Sequence, residues 1–516
     1  MKRAVVRKDS YFDSVFLMQL SKGLRERDGV IDAVVAMGTP MNLGLLAGMG
    51  FAEAELAGAT PNDLVTAVEC PDADSVEAAF AAAAELLARK RRSGAASQSL
   101  PASLDSALEV LPGANLAIIS LPGAWAAREA RRALRKGLHV MLFSDNVSLE
   151  DEIELKALGR EKGLLVMGPD CGTAIIGGKP LCFANVVRPG PVGVVAASGT
   201  GLQEVTCLVD RFGSGISQAI GTGGRDLKNE KVGGATMLMG IDALARDPGT
   251  EVIAVISKPP SPPVAARVVA ALEKAGKPSV VHFVGLAPAS AEAGSPVRYA
   301  SNLEETAILA VELAGTKAPA AAGESIEAAA AREARRLAPA QRFLRGYYTG
   351  GTLADEAMFL LHRLTGAVHS NNQTDPAFVL AEPRRSVGHT VVDLGDDVFT
   401  VGRPHPMIDP STRVERMMAE KDDASIAVVL VDVVLGYGSH ADPAGALAAA
   451  IVEMRRAAEA RGGYLPVVAS VVGTPGDFQG MEAQTARLEA AGCVVMPSNF
   501  RAATLAARIL AKAGVP

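Results

Sequence analysis

The sequence predicts an α/β protein assembled from several small parallel-sheet modules. From Ala114 onward, short strands that are apolar throughout alternate with single amphipathic helices, and glycine-rich turns often separate the two. Strands of this composition are typical of a parallel sheet that helices cover on both faces. The chain has 516 residues, of which 49% are hydrophobic and 21% charged, so we expect large cores and about three to four domains.

Residues 1–95 predict a small N-terminal α/β domain. Its apolar runs "KRAVVRK", "VIDAVVAMG" and "DLVTAVEC" predict strands, whereas "SVFLMQLSKGLRER", "NLGLLAG" and "SVEAAFAAAAELLARK" predict helices. The next stretch, Arg91 to Ser103, is polar and small and has no periodicity, which predicts a linker.

A second module follows this linker. Three strands are predicted by "ANLAIISLPG", "HVMLFSD" and "LLVMGPD", with the helices "AWAAREARRALRKG" and "LEDEIELKALGREKG" between them. A third module begins at Pro191. An Ala-rich, partly helical linker, Gly315 to Gln341, separates it from a fourth module that runs from about Phe343 to the end.

The third and fourth modules look like two copies of one plan. "VGVVAASGTGLQEV" corresponds to "LRGYYTGGTLADEA", since each is a strand, a Gly-Thr turn and a helix that carries Glu204 or Glu356. Both copies close with a Ser-Asn step into a helix, at Ser301 and Ser498. The larger insertions therefore belong to the second copy, and "VGHTVVDLGDDVFTVGRPHPMIDPSTR" is interpreted as one of them. We expect the two copies to pack about a pseudo-two-fold axis.

Charge, cysteine content and hydropathy exclude several classes of protein. The formal net charge of -6 argues against a nucleic-acid surface. Neither a signal peptide nor a membrane-spanning stretch is recognised, so a cytoplasmic protein is expected. No histidine pair has metal-ligand spacing, so no metal is expected. The cysteines lie far apart and are interpreted as reduced core residues, including Cys171 after the strand "LLVMG"; they are Cys70, Cys171, Cys182, Cys207 and Cys493.

The two Gly-Thr turns are the first candidate site. Each turn follows a strand and opens a helix, so backbone N–H groups and the positive end of the helix dipole point the same way, as an anion requires. The alternative is a tight connection that needs glycine for its backbone geometry. Two copies at matching positions favour phosphate binding by these residues: Ser198, Gly199, Thr200 and Gly201 in one turn and Gly350, Gly351 and Thr352 in the other.

Two further strand ends belong to the third module. "IGTGGRDL" could bring the backbone of Gly223 and Gly224 close to an oxyanion, with Arg225 supplying charge, or it could be a loop with a surface Arg-Asp pair. "SKPP" places Lys258 at the carboxyl end of a strand, where open α/β sheets bind ligands. The alternative for Lys258 is a surface lysine that buries only its stem.

The densest polar constellation is "DLGDDVFTVGRPHPMID", residues 393–409. Arg403 suits bidentate recognition of a carboxylate or phosphate. His405, held between two prolines, could act as an acid or a base. The alternative is an acid–base network of Arg403 with Asp396, Asp397 or Asp409 that only orders the loop.

These stretches resemble the FdrA family, relatives of the succinyl-CoA synthetases. "GRDL", "SKPP", "LFSDNVSLEDEIELK", "LLVMGPDCGT", "YTGGTLA" and "FTVGRPHPMIDP" carry the resemblance, which spans essentially the whole chain. It implies a Rossmann-like CoA-ligase-type domain at 107–190. It also implies two flavodoxin-like ligase domains, at 191–315 of the α-subunit kind and at 343–516 of the β-subunit kind. The two Gly-Thr turns would correspond to the paired helix ends that hold phosphate in the synthetases.

The chain departs from the synthetase pattern in several places. The synthetases phosphorylate a histidine in a Gly-His-Ala-Gly segment, where this chain reads "GLAPASAEAGSPV". Lys258 stands where those enzymes have the glutamate that supports the histidine. The Gly-rich first turn of the CoA-binding domain and an ATP-grasp domain are not recognised in this sequence.

The resemblance implies a subunit of a carbamoyl or acyl-phosphate transferase. Its most specific form is an oxamate carbamoyltransferase of allantoin catabolism, which converts oxalurate and phosphate to oxamate and carbamoyl phosphate. The alternatives are an ADP-forming acyl-CoA synthetase component and a non-catalytic scaffold subunit. Phosphate or carbamoyl phosphate is then the expected substrate and CoA a candidate ligand. Other protein subunits and self-association are the expected partnerships.

Overall fold

The computed structural model describes residues 1–10, 12, 14–94, 101, 103–288, 294–319, 324–401 and 403–514. They form two compact units, one of Met1–Pro112 with Phe399–Pro404 and the other of Gly113–Val398 with His405–Pro516. The predicted α/β class is confirmed. Parts of both predicted linkers, and part of the segment that replaces the synthetase histidine, lie outside the described residues.

The first unit is built on a three-stranded antiparallel sheet. Its strand order is β1-β3-β2, and two apolar clusters cover its faces. Leu17, Leu24 and Leu87 pack on one face, and Leu46 and Phe51 pack on the other. The elements are β1 (Lys2–Arg7), α1 (Ser14–Arg25), β2 (Asp32–Met37), α2 (Pro40–Gly48), α3 (Glu53–Leu56), β3 (Leu64–Glu69), α4 (Ala73–Gly94) and α5 (Leu104–Val110).

The second unit begins with a Rossmann-like parallel sheet of order β4-β5-β6. Helix α7 is capped at its N-terminus by Ser148, whose Oγ accepts the Asp151 N–H, and it ends at Gly163 in the left-handed conformation that favours glycine. The elements are β4 (Leu116–Ile119), α6 (Gly123–Arg135), β5 (His139–Leu142), α7 (Leu149–Lys162) and β6 (Val166–Met167).

A seven-stranded sheet follows, of order β13-β12-β11-β9-β10-β7-β8. Its five parallel strands have the 2-1-3-4-5 order of a flavodoxin-like fold, and an antiparallel hairpin, β7–β8, is added at one edge. The elements are β7 (Thr173–Ile176), β8 (Lys179–Cys182), β9 (Pro189–Ala197), α8 (Gly199–Arg211), β10 (Ile216–Gly221), α9 (Ala235–Arg246), β11 (Val252–Ser257), α10 (Pro262–Ala275), β12 (Ser279–Phe283), β13 (Val297–Tyr299) and α11 (Leu303–Leu313).

The last sheet repeats this order as β15-β16-β14-β17-β18-β19, with β15 as an added edge strand. One continuous apolar core joins the two flavodoxin-like modules, and it includes four leucines of their helices, Leu202, Leu303, Leu353 and Leu505. The elements are α12 (Ile326–Ala334), β14 (Phe343–Tyr348), α13 (Gly351–Thr365), β15 (Val368–His369), a 3₁₀ turn (Pro376–Phe378), β16 (His389–Asp393), α14 (Asp397–Thr400), α15 (Ser411–Ala419), β17 (Ile426–Val434), α16 (Pro443–Ala460), β18 (Val467–Val472), α17 (Met481–Ala490), β19 (Cys493–Met496) and α18 (Asn499–Lys512).

Three sequence interpretations need correction. Helix α4 continues through Gly94 into the predicted linker, because Lys and Arg are good helix formers. The segment interpreted as an insertion contains β16, a core strand equivalent to β10 of the first copy. The hairpin β7–β8 was not expected, although Gly177 and Gly178, both with positive φ, form the two-residue turn that such hairpins prefer. The domain boundaries at 107, 191 and 343 stay predictions.

Candidate functional site

The two Gly-Thr turns meet in the structure. The Ser198 hydroxyl at the start of α8 donates to the Thr352 hydroxyl at the start of α13 over 2.7 Å. A Cβ atom on Gly350 would lie 3.0 Å from Thr200 Cβ, and one on Gly201 would lie 3.1 Å from Thr352 Cγ2. The backbones of the two turns therefore approach more closely than larger residues would allow, and the positive ends of two helix dipoles adjoin.

Several donors at this junction have no protein partner. Ser198 Oγ accepts the Gly201 N–H, which caps α8, but within the described residues no acceptor is bonded to the N–H groups of Gly199, Thr200, Gly351 or Thr352. The Thr200 side chain is only 9% exposed, and its hydroxyl also has no partner in the described part of the chain. Unpaired donors at two adjoining helix N-termini are suited to binding an anion.

A buried ion pair holds the second turn. Asp432, near the carboxyl end of β17, accepts the Thr349 and Gly350 N–H groups at 2.8 Å each and the Thr349 hydroxyl at 3.0 Å. Arg413 of α15 donates to the Asp432 carboxylate at 2.8 Å and to its backbone oxygen at 2.6 Å. Both side chains are almost fully buried, so charge-assisted hydrogen bonds in the protein interior hold the second Gly-Thr turn in place.

Lys258 follows the last residue of β11, at the carboxyl end of a strand as the sequence suggested, and it lies beside the junction. Its ammonium pairs with Asp355 of α13 at 2.9 Å and is 3.4 Å from a Cβ placed on Gly351. Although burial alone would lower it, Asp355 and Asp393 hold the pKa of Lys258 above its ordinary value. A positive charge thus stands next to the unpaired helix donors.

Asp393, the last residue of β16, completes this cluster. Asn372 donates from Nδ2 to Asp393 at 2.9 Å and to Asp355 at 3.1 Å, and the Gly395 N–H donates to Asp393 at 2.9 Å. Burial raises the pKa of Asp393 to about 6, although Lys258 acts in the opposite direction.

Arg225 has a structural partner that the sequence did not suggest. Its Nε lies 2.8 Å from Glu152 of α7 and its Nη2 donates to the Val147 oxygen at 2.8 Å. Glu152 also accepts from the buried Lys156, which bonds Asp226 at 2.7 Å. The interpretation of Arg225 and Asp226 as a surface ion pair is therefore wrong. Both residues belong to a network of polar contacts between this loop and α7.

The glycines of the same loop contact the chain after β6. A Cβ on Gly223, whose φ is +86°, would overlap the Pro169 oxygen at 2.2 Å. A Cβ on Gly224 would lie 3.7 Å from the Asp170 carboxylate. Gly223 is thus required for close backbone packing against the 168–170 turn, and its role toward an oxyanion stays a proposal.

His405 and Arg403 fall in different compact units. A Cβ on Gly395 would lie 2.5 Å from His405 Nε2 and 3.1 Å from the Thr349 oxygen, so the ring packs beside the second turn. His405 Nδ1 accepts the Met407 N–H at 3.2 Å, and burial lowers the ring pKa to about 4. Arg403 is exposed and its N–H donates to the Thr400 oxygen at 3.0 Å. Asp409 accepts the Ser411 N–H at the start of α15.

Four of these residues were not singled out from the sequence: Asp355, Asp393, Arg413 and Asp432. Asp432 carried a usable signal, because a single carboxylate in the nine-residue apolar strand "IAVVLVDVV" must find a buried partner. No comparable sequence pattern marks Arg413 of α15 as a buried residue. The cysteine interpretation is confirmed for Cys171, a free thiol that is 3% exposed.

Comparison with known proteins shows that part of the chain is similar to CoA ligases. Residues 347–509 match the CoA-ligase family model, and residues 1–102 match the AllF heavy metal-associated domain. The uncharacterized protein YahF of Escherichia coli is 44% identical over 513 residues, 99% of each chain. The malate–CoA ligase subunit alpha of Methylorubrum extorquens is 28% identical over 34% of this chain and 60% of that subunit.

A further match is the ADP-forming succinate–CoA ligase subunit alpha of Aquifex aeolicus, 28% identical over 28% of this chain and 48% of that subunit. The chain thus matches about half the length of these ligase subunits. The solved dinucleotide forming acetyl-coenzyme A synthetase 1 of Ca. Korarchaeum cryptofilum is 16% identical over 78% of this chain and 83% of that one, with a TM-score of 0.29, which is too low to support a conclusion. The succinyl-CoA synthetase-like architecture rests on the family models and the sequence relatives.

The residues of the N-terminal domain do not fit a soft metal ion. Thiolates, imidazoles and thioethers bind such metals; residues 1–102 contain no histidine and a single cysteine, Cys70, so their remaining soft donors are neutral methionine thioethers. That thiol is fully buried in the apolar core, and burial raises its pKa. We therefore derive no chemistry through a metal. Among the described helices, none is long and apolar enough to cross a membrane.

Proposed function

The chain belongs to the family of the Escherichia coli protein YahF, and we propose that it is a component of a CoA-ligase-type enzyme that binds phosphate or an acyl phosphate between two helix N-termini. The observation that carries the proposal is the contact between the Ser198 and Thr352 hydroxyls, which brings unpaired donors of both helices to one point. The CoA-ligase match at 347–509 includes one of these helices and supports the same chemistry.

The reaction class that fits is acyl transfer to phosphate. A phosphate oxygen attacks the acyl carbon of a thioester, a new C–O bond forms, and the C–S bond breaks to release CoA. The helix donors and Lys258 would neutralise charge on the phosphoryl oxygens. Because the segment 285–297 contains no histidine, the phosphoryl group stays on the acyl product instead of passing to the chain.

We assign roles to the remaining candidates on the same basis. Ser198, Gly199, Thr200, Gly201, Gly350, Gly351 and Thr352 form the proposed phosphate site, and Lys258 is the proposed charged group beside it. Gly223 and Gly224 line the neighbouring loop, where Arg225 has its own partners. His405 stays a candidate for contact with the acyl part of the substrate, and Arg403 stays a separate candidate for recognition of a carboxylate or phosphate. CoA as a ligand and other protein subunits as partners follow from the ligase relatives, which are named as subunits.

A second candidate is the subunit of oxamate carbamoyltransferase that the FdrA resemblance implies. One observation supports it: an acyl phosphate product requires an oxyanion site, which the two adjoining helix N-termini would provide, but no phosphohistidine, and the chain has no histidine in the matching segment. The reaction would form the same C–O bond to phosphate and break a C–N bond. The ligase relatives support the thioester version more directly.

Thr200→Asp tests the phosphate site, because it places a carboxylate among the unpaired donors. We expect it to abolish phosphate-dependent release of CoA from an acyl-CoA by the complex purified from its native host. Thr200→Asn, of the same size without charge, is the matched control and should retain most activity. Equal activity of both variants would contradict the phosphate site.

A carbamoyl phosphate plus oxamate assay on the same complex separates the two reactions. Consumption of carbamoyl phosphate without thioester cleavage would select carbamoyl transfer. Transfer of label from the γ-phosphate of ATP to the chain would instead indicate a phosphorylated ligase intermediate. Activity that survives substitutions in both turns would indicate a scaffold subunit.

A further inference from the structure

Asp393 occupies a position that the proposed phosphate site does not explain. It is 6% exposed, and its Oδ2 lies 2.5 Å from a Cβ placed on Gly351, the first residue of α13. A carboxylate at this distance from the helix end would repel a bound phosphoryl group in a site with little solvent screening. A phosphoryl group can therefore bind tightly beside Asp393 only if one of the two negative charges is neutralised.

The groups around Asp393 do not neutralise the negative charge of its carboxylate. Lys258 is the cation that faces it, but this ammonium is already paired with Asp355 at 2.9 Å. One lysine thus faces three aspartates, Asp355, Asp393 and Asp170, and the cluster carries a net negative charge when they are ionised. Asn372 and the Gly395 N–H bond Asp393 without adding charge.

We propose that Asp393 takes up a proton from solvent when an anion occupies the two helix ends, so that phosphoryl binding at this site is proton-coupled. The inference rests on the proposed function, since it assumes that the anion binds where α8 and α13 begin. In the protonated form the carboxyl group becomes a hydrogen-bond donor beside the anion. Repulsion is replaced by an attractive contact, and Lys258 then faces one ionised carboxylate fewer.

The pKa of Asp393 supports this assignment. Burial holds it at about 6 without an anion, so the proton is gained within an ordinary pH range. A bound anion raises this pKa further, because like charges disfavour ionisation. His405 packs against Gly395 next to Asp393, but burial keeps its pKa at about 4. The imidazole is therefore uncharged above pH 5 and does not produce the same pH dependence.

Sulfate is the suitable probe, because it remains a dianion between pH 5 and pH 8 whereas phosphate titrates. Its dissociation constant is measured calorimetrically at pH 5.5, 6.5 and 7.5 in buffers of different ionisation enthalpy, which also reports proton uptake. If only protonated Asp393 admitted the anion, affinity would fall by about 25-fold from pH 5.5 to pH 7.5. We expect a loss that approaches this limit, with net proton uptake near pH 7.

The variants separate this inference from the site itself. Asp393→Asn should bind sulfate at least as tightly as the parent chain at pH 7.5 and lose the pH dependence. Asp170→Asn, which removes another aspartate that faces Lys258 and whose pKa burial also raises to about 6, should keep the pH dependence, as should Asp396→Asn, three residues along the same loop. Sulfate binding that is blocked by Thr200→Asp but does not vary with pH would overturn the proton coupling alone. A chain that does not bind sulfate at any pH, or binds it equally with Thr200→Asp, would overturn the phosphate site and this inference together.

Discussion

Glu204 and Glu356 each cap a helix of the other copy. Glu204 of α8 accepts the Asn499 N–H of α18 at 3.0 Å, and Glu356 of α13 accepts the Leu303 N–H of α11 at 2.8 Å. The Asn499 amide also donates to Glu356 at 2.8 Å. The exchange is reciprocal, as two modules packed about a pseudo-two-fold axis require. It ties the two helices that carry the proposed phosphate site to the rest of both sheets.

The first prediction concerns the pH dependence of this exchange. Burial raises the pKa of Glu204 to about 8, and that of Glu356 to about 7. A carboxyl group whose pKa is higher in the folded than in the unfolded chain contributes stability at low pH and loses it as pH rises through the folded value. The interface should therefore weaken from about pH 5 to pH 9.

Glu204→Gln keeps the acceptor for Asn499 but does not ionise. We expect it to be more stable than the parent chain by roughly 1–3 kcal/mol at pH 9 and similar at pH 5. Thermal unfolding at both pH values measures this difference. Parallel pH curves for the two chains would show that Glu204 does not titrate in the folded protein.

The second prediction concerns Asp432. In Asp432→Asn, an amide group replaces one carboxylate oxygen and faces the donors of Thr349, Gly350 or Arg413, so a buried donor loses its acceptor at a cost of about 1–3 kcal/mol. We expect weaker phosphate binding, seen as a raised KM for phosphate, together with a lower Tm. Asp423→Asn, which removes a partly exposed partner of Arg345, should lower Tm without a change in this KM. Equal effects on KM would indicate that Asp432 only stabilises the fold.

Sequence reasoning predicted the paired turns because the order of strand, turn and helix is repeated. Repeated units of this kind form a parallel sheet, in which the carboxyl ends of all strands lie at the same edge. The same reasoning also placed Lys258 correctly. It missed Asp355 and Arg413, since both stand on helices and act on a neighbour that only the packing brings near.

The sequence comparison of the two copies also misaligned their last helices by one residue. The sequence aligned Asn302 with Asn499, whereas the caps of α11 and α18 are Asn302 and Ser498. Asparagine and serine are equally good N-caps, so residue identity could not fix the register. Residues 394–410 have no hydrophobic periodicity, so their hydrogen-bond and ion-pair partners could not be predicted from a single sequence.

The third prediction concerns Arg225. Since its guanidinium forms an ion pair with the buried Glu152 and donates to the Val147 oxygen, Arg225→Ala removes a charge partner from Glu152 and should reduce the free energy of unfolding by about 1–3 kcal/mol. The KM for phosphate should not change. Arg246→Ala, which removes an exposed i,i+4 pair with Asp242, is the control and should alter neither quantity measurably. A raised KM for phosphate at an unchanged Tm would restore the phosphate-binding role first suggested by the sequence.

The fourth prediction concerns Arg403, whose proposed role rests on the Gly-Arg-Pro step. Proline restricts the backbone that precedes it, so the guanidinium should have a defined direction. Arg403→Lys should cost roughly 1–3 kcal/mol of transition-state binding, because an ammonium cannot form two parallel hydrogen bonds. Arg403→Ala should cost more. The Tm should remain close to that of the parent chain, since the residue is exposed. A lower Tm with normal turnover per folded molecule would assign Arg403 to loop structure.

The last prediction separates two roles of His405. Its Nδ1 accepts the Met407 N–H, so the neutral ring carries its proton on Nε2, beside Gly395. Burial lowers the ring pKa to about 4, below the ordinary value of 6.5. The unfolded chain therefore binds the proton more readily between these values, and His405 should reduce stability as pH falls from 6.5 to 4.

His405→Gln keeps an N–H group near the Nε2 position and does not titrate. It should resist the loss of stability at pH 4.5 by roughly 1–3 kcal/mol relative to the parent chain and should retain measurable turnover. His405→Asn, which is too short to reach that position, should lose turnover at the same Tm as the Gln variant. The role is then that of a neutral hydrogen-bond donor. A break in the parent kcat/KM between pH 6 and pH 7 that disappears in His405→Gln would instead identify an imidazole that titrates during turnover, as an acid–base catalyst must.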